Sequence, residues 1–461
     1  MTDNTIEALR VLQVGIEAVK AQGAFTMGVQ PSAGKTMVIG GITYTWRAAV
    51  DADTAGEISI GTNLATAKTA FLAAINGTDS INDPNPYASA SAFTGDVTTI
   101  TARIPGPVGN SVIFTLPTPD VGNSVNGSGT LGATTSGSMA RGTSVAATTR
   151  LAVEQLEWDD GPEAIYHPRV ANGILMRYQN AGTPVAHGTN FTLPDQAAIW
   201  EQLPLWFSML LGAPTLSGAL GGPYTMIWTV SPGANPNPYA VTLERRFDNG
   251  LGDTIDQEAA YAMLTELGLS FAANEQLHLS GGSGFARKFA TAALTGGLTL
   301  PDFEIMVSAL SKVYFDDLWA DVGETLLAEQ VIGWNWTFMG GIFPRVTAEG
   351  RTGLDFTKHQ INGGERGIDL DIQVLLDPTT YAAEVARAAS PDTNQFAVRV
   401  EVAGTDGRLL WIDQLMQHDK QLPAPSVDQG QDVVTFPLRD ATDGTNALRI
   451  TLTLPDTYTL A

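Results

Sequence analysis

The sequence predicts a mainly β protein, built from β-sandwich or β-barrel modules with short helices, the module duplicated, and a small α+β domain inserted into the first copy. Three observations carry this. First, apolar residues recur at every second position over many short stretches, which is the spacing of half-buried strands. The clearest stretch runs from Tyr261 to Phe289, where Leu267, Leu269 and Phe271 alternate with Gly268, Ser270 and Ala272. Asn274-Glu275-Gln276 then reads as a turn, Leu277 and Leu279 resume the alternation, and Gly281-Gly282-Ser283-Gly284 ends it. Second, the composition changes between Ala24 and Met139, a segment rich in Gly, Ala, Thr, Ser and Asn. Third, the order of strands and helix after Leu298 echoes the order before it, with 409–439 standing where 261–289 stands in the first half. The expected units are therefore 1–23 with 141–297, the inserted 24–140, and 298–461.

A chain of 461 residues has room for two or three such units, and a hydrophobic content of 44% supplies their cores. Its apolar runs are too short and broken for a transmembrane helix. Met1-Thr2-Asp3-Asn4 does not open a signal peptide. With no cysteine, disulfides, thiol catalysis and cysteine-metal sites are excluded together. The five histidines, His167, His187, His278, His359 and His418, show no metal-ligand spacing, and no metal or other cofactor is expected. The net charge of −23 argues against a surface that grips nucleic acid or anionic lipid. Solubility or a salty host explains such a charge, and so does a surface that must not stick to a polyanion. The inserted segment holds four bases (Lys35, Arg47, Lys68, Arg103) against seven acids, so the acidity belongs mainly to the rest of the chain.

In chain order, Leu12, Val14 and Ile16 predict a strand within 5–20, with a helix as the competing reading. Met37 to Trp46 predicts a hairpin turning at Gly40-Gly41. Thr62 is the expected cap of a helix running through Ile75, with Leu64, Ala67, Phe71, Leu72 and Ile75 on one side and Gly77 as its stop. Val97–Ile104 and Ser111–Leu116 are expected strands, and the Gly/Ser/Thr/Asn-rich 121–142 an expected linker. Arg141 to Val153 reads as the continuation of Val14 to Gly23, as expected if a domain interrupts a surface loop. Leu151–Trp158 is an expected strand, and Gln196 to Gly212 a buried helix that Pro204 should kink or split. Further strands are expected at Pro223–Pro232, Tyr239–Phe247, Glu304–Leu310, Gln330–Met339, Gly367–Leu376, Gln395–Val402, Asp432–Leu438 and Leu448–Leu454, with a helix at Thr379–Ala389.

Few motifs point to chemistry. Gly28 to Thr36 approaches a phosphate loop, but the spacing is one residue too long and a hairpin rather than a helix follows. Gly281–Gly284 does not fit a nucleophile elbow, and no Ser-His-Asp set can be assembled. Asp369 and Asp371 share one face of a strand, a pairing that can do acid–base work or bind a cation, although a solvated outer face is the plainer reading. Arg399 and Glu401 repeat that arrangement. Trp334 and Trp336 offer a stacking platform or cover one side of a sheet, and His278 reads as a surface residue. No catalytic residue is assigned, and no enzymatic activity is expected.

The segments L-R-V-L-Q-V-G-I-E and R-G-T-S-V-A-A-T-T-R-L, with L-G-L-S-F-A-A-N-E-Q-L-H-L-S-G-G-S-G-F-A-R-K-F, resemble the tail tube proteins (major tail proteins) of long-tailed, non-contractile bacteriophages. The resemblance covers about 1–23 and 141–461 and is one of pattern and order. The inserted segment, above all T-A-R-I-P-G-P-V-G-N-S-V, resembles a module recurring in phage virion proteins. The resemblance implies a structural virion protein whose rings stack into a hollow tube through which DNA is ejected into the host. It implies homo-oligomeric rings, trimers of two modules giving pseudo-sixfold symmetry, and contact with tape measure, tail terminator and distal tail proteins. DNA would pass transiently and non-specifically, with no insertion into membrane. The alternative from a different class is a virion surface module that recognises host glycans through the insert, with its exposed loops and Tyr44 or Trp46 as the reader.

Overall fold

The computed structural model describes residues 9–51, 53–127, 129–153, 157–160, 163–165, 168–169, 178–179, 183–186, 188–218, 223–231, 237–248, 254–273, 275–307, 311–327, 330–345, 356, 358–389, 395–418, 425–428 and 431–455. Within these the chain is mainly β, as its alternating pattern predicts, and its strands do not close into a barrel.

The first strand, β1 (Leu9–Ile16), buries Leu12, Val14 and Ile16 and leads straight to the insert. The insert is a compact α+β unit with its own core, running from Ala21 to Leu131. Its strands are β2 (Gln22–Met27), β3 (Thr36–Ile39), β4 (Ile42–Arg47), β5 (Glu57–Ser59), then α1 (Leu64–Asn76), β6 (Ala88–Ala90), β7 (Val97–Ala102), β8 (Phe114–Thr115) and β9 (Asn123–Val125). They form two four-stranded sheets, β9-β2-β7-β6 and β5-β4-β3-β8. Phe25, Trp46 and Phe71 meet at their centre, with the Phe25 and Phe71 ring centroids 5.0 Å apart. Two expectations are corrected here. The helix cap is Asn63 rather than Thr62: the Asn63 side chain accepts from Thr66 N–H while Thr66 Oγ accepts from Asn63 N–H. The expected linker carries paired strands at both ends, β9 against β2 and Ser138–Met139 against Ala18–Val19, so the return path is tied to the exit path.

The body resumes with β10 (Thr149–Leu151) beside β1; part of the strand expected at Leu151–Trp158 (154–156) lies outside the described residues. After β11 (Thr189–Leu193), the helix expected over Gln196–Gly212 is only α2 (Leu203–Leu211). Pro204 opens it instead of kinking it, because the first turn is where a missing N–H costs nothing. Gln196–Ala197 pairs instead with His278–Leu279. Next come β12 (Tyr224–Val230), β13 (Val241–Asp248) and β14 (Thr254–Ala272). The long β14 changes partners along its length: β13 at its N-terminal half, and at its C-terminal half the strand 331–345 introduced below. At the change Tyr261 takes φ 60°.

Gly281–Gly284, expected as a flexible exit, instead begins β15 (Gly282–Ala286), paired with β14 on one side and β11 on the other. A Cβ at Gly284 would stand 2.2 Å from the Phe191 ring and 2.5 Å from the Met263 carbonyl, so the small residues permit close approach rather than freedom. The expected strand at Glu304–Leu310 is reduced to bridges at Ile305 and Val307, with 308–310 outside the described residues, and the strand proper is β16 (Ser311–Asp316). There follow β17 (Val331–Arg345), β18 (Lys358–Leu375), α3 (Pro378–Ala389), β19 (Gln395–Ala403), β20 (Leu409–His418), β21 (Gln431–Asp440) and β22 (Leu448–Leu454).

Two layers enclose the main core. One is β14-β17-β18-β21, and the other is β16-β19-β20-β22-β12. Leu269, Trp336, Leu370 and Phe436 from the first face Val400, Ile412 and Ile450 from the second within one cluster that runs from Leu12 to Leu454. Trp336 Nε1 crosses between layers to donate to Gln414 Oε1 at 2.9 Å. Each layer contains strands from both sides of residue 298, since β12 pairs with β22 and β14 with β17. The insert is docked on this body: Tyr224 Oη donates to the Pro84 carbonyl at 2.7 Å, and Tyr239 Oη to the Pro105 carbonyl at 2.6 Å.

Candidate functional site

Side chains alternate along a strand, so burying one face of β14-β17-β18-β21 fixes what the other presents. The register sets Ser270, Asn335 and Asp371 in one row, and Gly268, Thr337, Asp369 and Arg439 in the next. Toward one end this face forms an open trough of about 870 Å3, lined by Ser270, Asn335, Asp371, Gln373, Thr435 and Glu275 among others. At the other end a second trough of about 670 Å3 carries Glu266, Asp369, Asp440, Arg366 and Arg439. The small, polar residues expected opposite Leu267, Leu269 and Phe271 therefore lie at the edge of this face.

Its electrostatics differ from end to end: Asp371 and Glu275 make the first trough acidic, whereas in the second Arg366 and Arg439 stand among Glu266, Asp369 and Asp440, with Arg439 directly across the ladder from Asp369. Partial burial, then the neighbouring Asp369 charge, raises the pKa of Asp371 above the usual carboxylate range. Burial also raises Asp440, against opposing backbone hydrogen bonds, with Asp369 again adding to the rise. Such carboxylates could accept protons or cations in principle. Among the described residues, however, no group of three or more potential ligands is placed to hold a metal ion. At the rim, His278 Nδ1 lies 2.8 Å from Asp195 Oδ1, a pairing across 83 residues that sequence alone did not reveal. Among the described residues no hydroxyl completes a nucleophilic set with it.

The other singled-out residues disperse. Trp334 and Trp336 are buried and donate to Ser311 Oγ and Gln414 Oε1, so they cover the core rather than offer a platform. Tyr44 and Trp46 are 0% and 1% exposed, which removes both as glycan readers. Their alternation on β4 marked them as a pair, but on the inner face. Gly28 to Thr36 is the loop between β2 and β3, with Thr36 Oγ1 against Thr118 Oγ1. Arg399 and Glu401 are not a solvated pair. Arg399 Nε donates to fully buried Asp413 at 2.5 Å, Arg449 donates to the same carboxylate at 2.6 Å, and Glu401 accepts from Lys312 and the Trp411 indole. His359 meets Tyr261, His418 meets buried Glu384, and His167 and His187 lie outside the described residues.

Sequence reading also passed over Glu17. Its fully buried carboxylate accepts from Gly142 N–H, Tyr261 N–H and Thr242 Oγ–H, clasping the points where the chain leaves for the insert and returns. Burial raises its pKa, and those bonds oppose the rise. A lone acid ending an apolar strand was the available signal. No protein-family model matches the chain, and no curated protein matches it.

Proposed function

We propose that this chain is a structural subunit that assembles with copies of itself into stacked rings, forming the hollow tail tube of a long-tailed bacteriophage. The observation that carries the reading is the two-faced sheet β14-β17-β18-β21, apolar toward the core and, on its open face, acidic around Asp371 and Glu275. A wall of that kind repels phosphates, so DNA can slide along it without adhering. In this reading the sequence resemblance supplies the partners: further copies, tape measure, tail terminator and distal tail proteins, and DNA in transit. The resemblance also implies a pseudo-sixfold ring of three copies, although the strands before and after residue 298 share one core rather than forming two separate modules; the virion would be its location, and no catalytic step is required of it. No described helix is long and apolar enough to cross a membrane.

The glycan-binding alternative now rests on the exposed loops of the insert alone. Electron microscopy of the purified chain tests the proposal. Rings or tubes with a central hole are expected, with a ring mass of three chains. Monomers under every condition, together with absence from intact tails, would sink it.

A further inference from the structure

Five Asn-Gly pairs occur in the chain, and two of them, Asn76-Gly77 and Asn126-Gly127, lie wholly within the described residues. In this dipeptide the glycine nitrogen can attack the side-chain carbonyl carbon of the asparagine, because no Cβ on the glycine hinders the approach. The attack needs two freedoms. The glycine N–H must not be held in a hydrogen bond, and the asparagine amide must be free to turn toward it.

The fold denies both freedoms to Asn76 and grants both to Asn126. Asn76 ends α1, and the Gly77 N–H donates to the Ala73 carbonyl. Asn76 Nδ2 donates to the Ala90 carbonyl at 2.8 Å, and its Oδ1 accepts from Ala90 N–H at 3.0 Å, so the amide is fastened to β6 on both sides. Asn126 directly follows β9, and both it and Gly127 are exposed. The Gly127 N–H donates no hydrogen bond among the described residues. The Asn126 amide makes one, from Nδ2 to Thr134 Oγ1 at 3.5 Å, which is the outer limit for such a bond.

We propose that Asn126 is a site of spontaneous deamidation, and that the fold protects Asn76 from the same reaction. The Gly127 nitrogen loses its proton and bonds to Asn126 Cγ. The Cγ–Nδ2 bond breaks, and the amide leaves with that proton as ammonia, closing a cyclic imide. Water then opens the imide. Breaking the new Cγ–N bond gives aspartate, and breaking the original peptide bond to Gly127 gives isoaspartate. The sequence of steps is redox-neutral and takes water as its only co-reactant. Either product adds a carboxylate to the insert. In the isoaspartyl product the main chain also gains a methylene beside the Asn126 N–H, which donates to the Ala24 carbonyl at 2.8 Å, so the end of β9 loosens from β2.

Ageing the folded full-length chain at mildly alkaline pH, with peptide mapping by mass spectrometry, tests both halves. The peptide holding Asn126 should gain one mass unit at least about tenfold faster than the peptide holding Asn76, the ratio that a barrier difference of about 1.36 kcal/mol gives. In urea, where only the sequence acts, the two rates should converge. Asn126→Gln sets the amide carbon one methylene further from the Gly127 nitrogen, and its peptide should stay unchanged. Amide exchange along β9 should quicken in the aged wild type and not in the aged variant. Equal rates at the two sites in the folded chain, an Asn126 that stays intact there, or a rate ratio that persists in urea would overturn the proposal. Unaltered exchange along β9 in the isoaspartyl fraction would overturn the loosening of that strand.

Discussion

Replacing His359 with glutamine should remove a defined part of the protein's sensitivity to acid. His359 sits on β18 with its Nδ1 3.2 Å from Tyr261 Oη and its ring edge-on to the tyrosine. Accepting that hydrogen bond requires an unprotonated Nδ1. Burial, and then the positive charge of Arg141, lower its pKa from 6.5 to about 4. The folded state therefore binds fewer protons than the unfolded state across that interval. The contribution is complete above about pH 6.5, is lost as the pH falls, and is gone below about pH 4. At about 1.36 kcal/mol per pH unit the displacement is worth about 3 kcal/mol, and partial solvent access reduces this to about 2 kcal/mol. Glutamine can still accept from the tyrosine but does not titrate. Urea midpoints followed by tryptophan fluorescence at several pH values between 7 and 4 give the measurement. Carboxylates that titrate in the same interval cancel in the difference between the two proteins. Wild type should lose about 2 kcal/mol more than His359→Gln between pH 6.5 and 4. Parallel curves, agreeing within about 0.5 kcal/mol, would refute the placement of His359 in a half-buried, cation-facing site.

Two further outcomes follow from packing and charge. Asp413→Ala strands Arg399 and Arg449 and should cost about 3–5 kcal/mol in urea unfolding, whereas Asp413→Leu with both arginines changed to Met should recover most of it, because a buried pair broken on one side costs more than one replaced whole. Gly284→Ala drives a methyl into the Phe191 ring and the Met263 carbonyl and should cost about 1–3 kcal/mol, read as a lowered urea midpoint with the same slope.

How far the fold could be read depended on whether the relevant interaction was local. The helix Leu64–Asn76 and the hairpin at Gly40-Gly41 were legible because period and turn chemistry are written within a dozen residues. The strand at Leu448–Leu454 matched its expected ends, since its alternation is unbroken. Pro204 was legible as a special residue but misread, because whether a proline breaks or begins a helix is set by what pairs with the preceding segment, here His278–Leu279. Gly281–Gly284 misled for a similar reason: glycines that let backbones and rings approach look the same, in one dimension, as glycines that free a loop. For the candidate site, the shared face of Asp369 and Asp371 was legible, whereas the neighbouring rows depend on pairing across three other strands. Asp195 with His278 and Asp413 with Arg449 are joined only by tertiary structure.

The distribution of charge gives the net value of −23 a spatial meaning that composition lacks. Several described bases are consumed inside the chain: Arg399 and Arg449 on Asp413, Arg408 on Glu201 and Glu304, Lys312 on Glu401, Arg387 on Asp317. Each such pair neutralises a carboxylate where it helps hold strands or loops together. The excess acid is thereby left unevenly: on the open face of β14-β17-β18-β21 the trough around Asp371 and Glu275 is acidic, whereas at the other end Arg366 and Arg439 stand among Glu266, Asp369 and Asp440. A uniformly acidic surface would keep copies apart through long-range repulsion. An open face that is acidic around Asp371 and Glu275 but mixed around Arg366 and Arg439 confines that repulsion to one end, where a passing polyanion is turned away without the whole surface being closed to other copies.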